Sequence, residues 1–257
     1  MTHEQAPDRS VFAITGSERE SFLQGLVTND VARARDAPVY AALLTPQGKY
    51  LVDFFIAPHG EALLIDVKSD FADGLLKRLT LYKLRADVAI APAQLGVHRG
   101  LGTPPEGAFA DPRDATMGWR RYTAEAGPAP AIDWDAHRVA ACIPETGIEL
   151  VPEQSFILEC GFDRLHGVDH RKGCYVGQEV TARMRHKTEL RKGLASVDVA
   201  GAAPVGTPIT ADDGRAAGTL YTQSGGRGIA YLRFDRAGAG MRAGDAVLHW
   251  PEAARAG

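Results

Sequence analysis

The segment Gly161–Lys192, GFDRLHGVDHRKGCYVGQEVTARMRHKTELRK, holds the densest group of chemically able side chains. At its centre stands Cys174, within Lys172-Gly173-Cys174-Tyr175-Val176-Gly177-Gln178-Glu179. A thiolate is both nucleophile and metal ligand, and the neighbouring Arg171 and Lys172 favour it electrostatically. A helix starting near Val176 or Gly177 would add the partial positive charge of its N-terminus. Glycines on both sides free the backbone for a tight turn or the close approach of a ligand. Glu179 would stabilise such a helix start, or accept paired N–H donors from a planar heterocycle such as a pterin. Tyr175 offers that heterocycle an aromatic face.

Simpler readings stand beside these. A lone cysteine is ordinarily a small buried hydrophobe, and Cys142 and Cys160, in AACIP and ILECGF, are read that way. Asp169-His170 resembles half of a catalytic dyad but has no evident third partner. Residues 164–192 hold eight Lys or Arg against three acids, a local excess of +5 in a chain of net charge −3. That run is either a solvated face or an anion site for a carboxylate tail, a phosphate or RNA. The 183–192 stretch lacks the interleaved aromatics of a single-strand stacking platform.

Positioning these groups requires a sizeable core, and 257 residues that are 45% apolar can supply it. Three cysteines suit a reducing compartment better than a disulfide framework, and their gaps match no zinc spacing. The opening MTHEQAPDRS lacks an apolar signal region and is acidic for a transit peptide. The longest apolar runs, such as LTLYKL, fall far below membrane-spanning length. These features lead to the expectation of a cytoplasmic protein, monomeric and away from membranes.

The pattern predicts a strand over 10–15, then a helix opened by a Ser17–Glu20 capping box and ending near Asn29-Asp30. Extended runs at Tyr40–Leu44, Tyr50–Ala57 and Ala62–Val67, separated by turn residues, read as an antiparallel meander. Ser69 is expected to cap a helix through Leu79, followed by a strand over 87–91. Residues 100–130, rich in Gly, Pro and charge, read as a connection or degenerate subdomain, and 134–148 as a helix with a break. From 193 onward, evenly spaced short runs point to a small antiparallel barrel. The fold class is α+β, with expected divisions at 8–98, 99–192 and 193–252.

KGCYVGQE resembles the signature of the folate-binding family that includes YgfZ, in which Lys-Gly-Cys-aromatic-x-Gly-Gln-Glu is the defining run. Most of the chain also resembles, more loosely, the T-protein (aminomethyltransferase) of the glycine cleavage system. FLQGLVTNDV, LLTPQGKYLVDFFI and RVAACIPETGIEL carry that likeness. It implies a ring of α+β subdomains around a folate channel, with a C-terminal barrel. The two resemblances together imply tetrahydrofolate as cofactor, with Glu179, Tyr175, Gln178 and Arg138 as binding residues and Cys174, Lys172 and Asp53 as the chemical group, Cys174 and Lys172 coming from the YgfZ signature, since the T-protein lacks this cysteine motif.

The function implied is accessory: assembly or repair of iron–sulfur clusters, especially four-iron ones, in contact with assembly or client proteins. A radical tRNA-modifying enzyme is among the expected dependents. Two positions depart from the T-protein pattern: its paired aspartates read Val52-Asp53, and the first Arg of its Arg-Asp-Ser-Leu-Arg run reads Trp134. Both argue against aminomethyl transfer, which with a related demethylase activity stands as one alternative. An RNA-binding module with weak tRNA contact is the other.

Overall fold

The computed structural model of the chain describes residues 3–187 and 190–251. Two compact units divide it: Met1–Ile132 with Asp163–Ala182, and Asp133–Phe162 with Arg183–Gly257. This differs from the three continuous segments expected.

The first unit carries, in chain order, β1 (His3–Gln5), β2 (Arg9–Thr15), α1 (Arg19–Gln24), β3 (Val39–Leu44), β4 (Tyr50–His59), β5 (Ala62–Lys68), α2 (Ser69–Lys83), β6 (Ala89–Pro92), β7 (Gly96–Gly100), β8 (Phe109–Ala110) and β9 (Trp119–Thr123). The expected meander is β3-β4-β5, antiparallel throughout, extended by β2 and β6 into a five-stranded sheet of order β3-β4-β5-β2-β6. The region read as a degenerate connection forms a second sheet, β1-β7-β9-β8. Its edge strand β1 comes from the N-terminus, so residues 96–123 belong with the first unit.

Successive side chains of a strand face opposite ways, and the central sheet is buried on both sides. Phe12, Ile14, Phe54, Ile56, Leu63 and Ile65 pack with α1 and α2 residues such as Leu23, Leu75 and Leu79. Their sequence neighbours Val11, Ala57 and Leu64 pack with Ala6, just after β1, and with Val97 of β7.

That second face also holds charge. Asp66, fully buried, accepts hydrogen bonds from Arg9 Nε (2.6 Å), Arg120 (2.8 Å) and the Tyr122 hydroxyl (3.2 Å). Asp111 accepts from Arg113 Nε (3.0 Å) and Arg120 Nε (3.2 Å). Phe55 lies beneath three guanidiniums, Arg120 at 3.7 Å, Arg113 at 4.9 Å and Arg9 at 5.7 Å from its ring centre, within cation–π range. Removing one member leaves the others charged in a site without water, which is far costlier than never having built the pair.

Local expectations at the helix starts fail for tertiary reasons. Ser17 donates to Asp87 (2.6 Å) and Glu20 receives Arg35, so no capping box forms. The helix ends at Gln24, and Asp30 instead caps a 3-10 turn over Val31–Arg35. Ser69 is already inside α2, its hydroxyl bonded to that of Ser10 at 2.9 Å.

The second unit contains α3 (Trp134–Ala141), capped by the Asp133 side chain, the second half of α4 (Gln178–Lys187), and β10 (Lys192–Ala200), β11 (Thr207–Thr210), β12 (Ala216–Ser224), β13 (Arg227–Arg233), β14 (Met241–Ala243) and β15 (Ala246–His249). The six strands close as β10-β13-β12-β11-β14-β15, the expected barrel. Val197, Ile209, Leu220, Leu232 and Leu248 fill it, and Phe234 stacks on Trp250 at 5.0 Å. Residues 133–162 belong to this unit. Leu194 N–H donates to the Glu159 carbonyl (2.7 Å), and the Tyr231 hydroxyl donates to the Glu159 carboxylate (2.6 Å).

Burial pushes the carboxyls of Asp66 and Asp111 up, but their guanidinium neighbours outweigh it and hold both below the usual carboxylate range. The unfolded chain therefore binds more protons than the native one in acid. This stability is complete above the ordinary carboxylate pKa and is lost as pH falls through the native values, below about pH 4. Urea denaturation from pH 7 to pH 3 should show that loss. Asp66→Asn should cost about 3–5 kcal/mol at pH 7 and flatten the acid limb.

Candidate functional site

The loop bearing Cys174 has no regular structure of its own, so neighbouring elements must hold it. The turn after α1 does so. Lys172 is buried, and its Nζ donates to the carbonyls of Gln24 (2.8 Å), Val27 (2.5 Å) and Asn29 (2.9 Å). An ammonium has three N–H bonds, and here each has an acceptor. Burial pulls the amine down to about 8, against the pull of Asp30 and Asp169, so it is protonated at neutral pH.

Thr28 and Asn29 complete the clamp. Thr28 Oγ1 donates to the Gly167 carbonyl (2.7 Å), and Asn29 Nδ2 to those of His166 (2.6 Å) and Tyr40 (2.8 Å). Asp169 N–H donates to the Thr28 carbonyl (3.1 Å). The Asp169 carboxylate accepts from the backbone of Arg171 (2.7 Å) and pairs with Arg33 (3.1 Å). The Asp169-His170 dyad does not form, because His170 pairs with Asp163. Thr28 and Asn29 lie in the FLQGLVTNDV run, whose role as the loop's dock was not read from sequence.

On this mount Cys174 is exposed and free. Cys142 is half-buried; Cys160 is buried, and burial pushes its thiol up to about 12, which leaves it inert. The glycines around Cys174 do different work. A Cβ on Gly173 would meet nothing within 4 Å. Gly177, at φ +84°, has the β3–β4 hairpin against it: a Cβ there would lie 2.6 Å from the Thr45 carbonyl oxygen. The close approach expected for a ligand is thus made by the protein's own Gly48 turn, where a Cβ would lie 2.7 Å from Val180. α4 starts at Gln178, one residue later than the latest start expected.

The other expected site residues separate into two groups. Glu179 is exposed in the first turn of α4 and Gln178 is half-buried beside it. Tyr175 is largely buried, and its ring centre lies 5.1 Å from Lys172 Nζ, so one aromatic face already meets a cation. Asp53 lies inside, accepting from the hydroxyls of Tyr40 (2.8 Å) and Tyr50 (2.5 Å), one to each oxygen. Arg138 belongs to the other unit, 3% exposed, donating to the Ile143 carbonyl, Glu149, Asp135 and Thr222. Both are buried, and these hydrogen bonds run to protein groups.

Of the basic run, Arg183 and Arg185 are exposed on α4, while Thr188, Glu189 and the Lys187 side chain lie outside the described residues. Among the described residues no three His, Cys, Asp or Glu side chains gather as metal ligands would. No helix there is long and apolar enough to cross a membrane.

Two outcomes are expected. Iodoacetamide should label native protein rapidly at one thiol, and Cys174→Ala should abolish that labelling. Gly177→Ala should lower stability by about 1–3 kcal/mol or more through forced backbone strain, with Gly173→Ala within about 0.5 kcal/mol of wild type. Denaturant midpoints measure both.

Residues 191–255 match the family model described as CAF17, C-terminal beta-barrel domain. The mitochondrial iron–sulfur cluster assembly factor IBA57 of Homo sapiens is 32% identical, the alignment covering 87% of this chain and 75% of that protein. Its Mus musculus counterpart is 30% identical, over 88% and 75%. The homolog from Mycosarcoma maydis is 31% identical, over 74% and 55%. Among solved structures, aminomethyltransferase T of the glycine cleavage system from Bartonella henselae superposes with a TM-score of 0.75 over 95% of this chain and 82% of that one, at 12% identity. That likeness establishes a T-protein-like fold with a C-terminal six-stranded barrel. The IBA57 relatives are mitochondrial, which overturns the expectation of a cytoplasmic protein. With this identity over most of its length, the chain belongs to the CAF17/IBA57-type family of iron–sulfur cluster assembly factors.

Proposed function

We propose that this protein supports the assembly or repair of four-iron clusters, with the Cys174 thiolate as the contact to cluster or iron in transit. One observation carries the reading: the exposed thiol sits on a loop clamped by Lys172, Thr28 and Asn29. A rigid mount holds a thiolate ready for a partner without the cost of ordering a flexible segment at each encounter. A cluster needs several ligands, and those beyond Cys174 come from the partner protein. The resemblance of KGCYVGQE to the YgfZ signature supports including a radical tRNA-modifying enzyme among the clients on this reading.

Tetrahydrofolate belongs to the proposal in reduced form. Gln178 and Glu179 supply an amide and a carboxylate at the start of α4, the groups that a pterin edge of amino and carbonyl functions requires. Asp53 and Arg138 do not fit that donor set, since their polar atoms are engaged internally. Folate would hold its place through the α4 start, and Lys172 acts as a positioning residue rather than a reactant. With Val52 in place of a second acid and Asp53 enclosed by tyrosines, the geometry favours support of cluster assembly over aminomethyl transfer.

The decisive measurement is four-iron enzyme activity in cells lacking this protein. Wild type should restore it and Cys174→Ala should not; restoration by the alanine variant would remove Cys174 from the function. Lys172→Met should give folded protein with slower Cys174 alkylation and partial rescue. In calorimetry, Glu179→Ala should weaken tetrahydrofolate binding by roughly tenfold, one lost charged hydrogen-bond pair. Unchanged affinity would exclude the α4 start as its seat.

A further inference from the structure

α2 runs four residues past its expected end at Leu79, and its last turn presents apolar side chains to solvent. Leu81 is 74% exposed, Leu84 87% and Tyr82 38%, three large hydrophobics within four residues. The buried side of the helix is already provided by Ala72, Leu75 and Leu79, so the outer leucines contribute nothing to this core. With Leu76, Lys77 and Thr80, Leu81 and Leu84 frame an open groove of about 600 Å³. Leu84 adopts φ +47°, a left-handed conformation that a bulky residue takes only at a cost.

The half of α2 that carries this groove is rich in cations. From Gly74 to Ala86 there are four cations, Lys77, Arg78, Lys83 and Arg85, and no acid, in a chain of net charge −3. A cation near a helix C-terminus complements the macrodipole, which accounts for Lys83. Lys77 and Arg78 lie mid-helix and Arg85 lies beyond it, all exposed. Two acids flank that window: Asp73, exposed one turn before Lys77, and Asp87, whose carboxylate is engaged by the hydroxyl and N–H of Ser17.

We propose that this groove docks an acidic amphipathic helix of a partner protein. Its leucine-class side chains seat among Leu76, Leu81 and Leu84, and its carboxylates face Lys77 and Arg85. Apolar anchors at helical spacing within a groove are a recurring mode of recognition, and the flanking cations select the acidic partner. A second copy meeting α2 with its own α2 would set like charges against each other. The inference is independent of the chemistry assigned to Cys174.

The probe is a fluorescein-labelled synthetic peptide of about 18 residues, with leucines at i, i+3, i+4 and i+7 and glutamates elsewhere. Fluorescence anisotropy with the full chain should show saturable binding that weakens with salt. Leu81→Ser/Leu84→Ser and Lys77→Glu/Arg85→Glu should each weaken it at least roughly tenfold, with circular dichroism unchanged. Absence of saturable binding to wild type, or equal affinity in both variants, overturns the proposal. So does sedimentation of wild type, but not the variants, with phosphatidylserine vesicles while the peptide stays unbound; the face is then a membrane contact. Self-association abolished by Leu81→Ser/Leu84→Ser, again without peptide binding, would equally replace it with a homotypic interface.

Discussion

Lys172 directs all three of its N–H bonds to the carbonyls that close the turn after α1, and the geometry of the candidate site depends on this. The loop from 163 to 177 has no sheet or helix to define it, and it returns to a unit built mainly from residues a hundred positions earlier. A buried ammonium with three acceptors is specific in a way that apolar packing is not, because a shift of an ångström leaves a carbonyl or an N–H without a partner. Thr28 and Asn29 add the same kind of constraint from the other side. The result is an exposed thiol on a loop held by buried hydrogen bonds.

The dock is in turn carried by a sheet with two buried faces. One face is apolar and packs beneath α1 and α2. The other mixes small apolar residues with a network of arginines, aspartates and tyrosines around Phe55. Such a network adds little net stability compared with a greasy core of the same volume, but it penalises any slip of one sheet over the other. Asp53 belongs with this interior. Its two carboxylate oxygens each accept a tyrosine hydroxyl, which holds the side chain inside the unit.

The T-protein-like fold fixes an architecture, while function rests on the side chains it presents. Here the exposed features are a thiol, the polar start of α4 and the basic apolar end of α2. Each faces outward, as suits a protein that meets other proteins.

Sequence by itself determined what depends on local pattern and on motif. The β3-β4-β5 meander, the barrel strands and the singular standing of Cys174 followed from alternation, turn residues and the KGCYVGQE run. Local capping rules misled at Ser17 and Ser69, whose hydroxyls were claimed by residues 70 and 59 positions away. Tertiary structure alone decided that Lys172 is a clamp, that Gly177 yields to a hairpin, and that Asp53 and Arg138 face inward. The physical reason is common to all of these. A side chain's neighbours across the fold set its burial and partners, and those neighbours are invisible to any window along the chain.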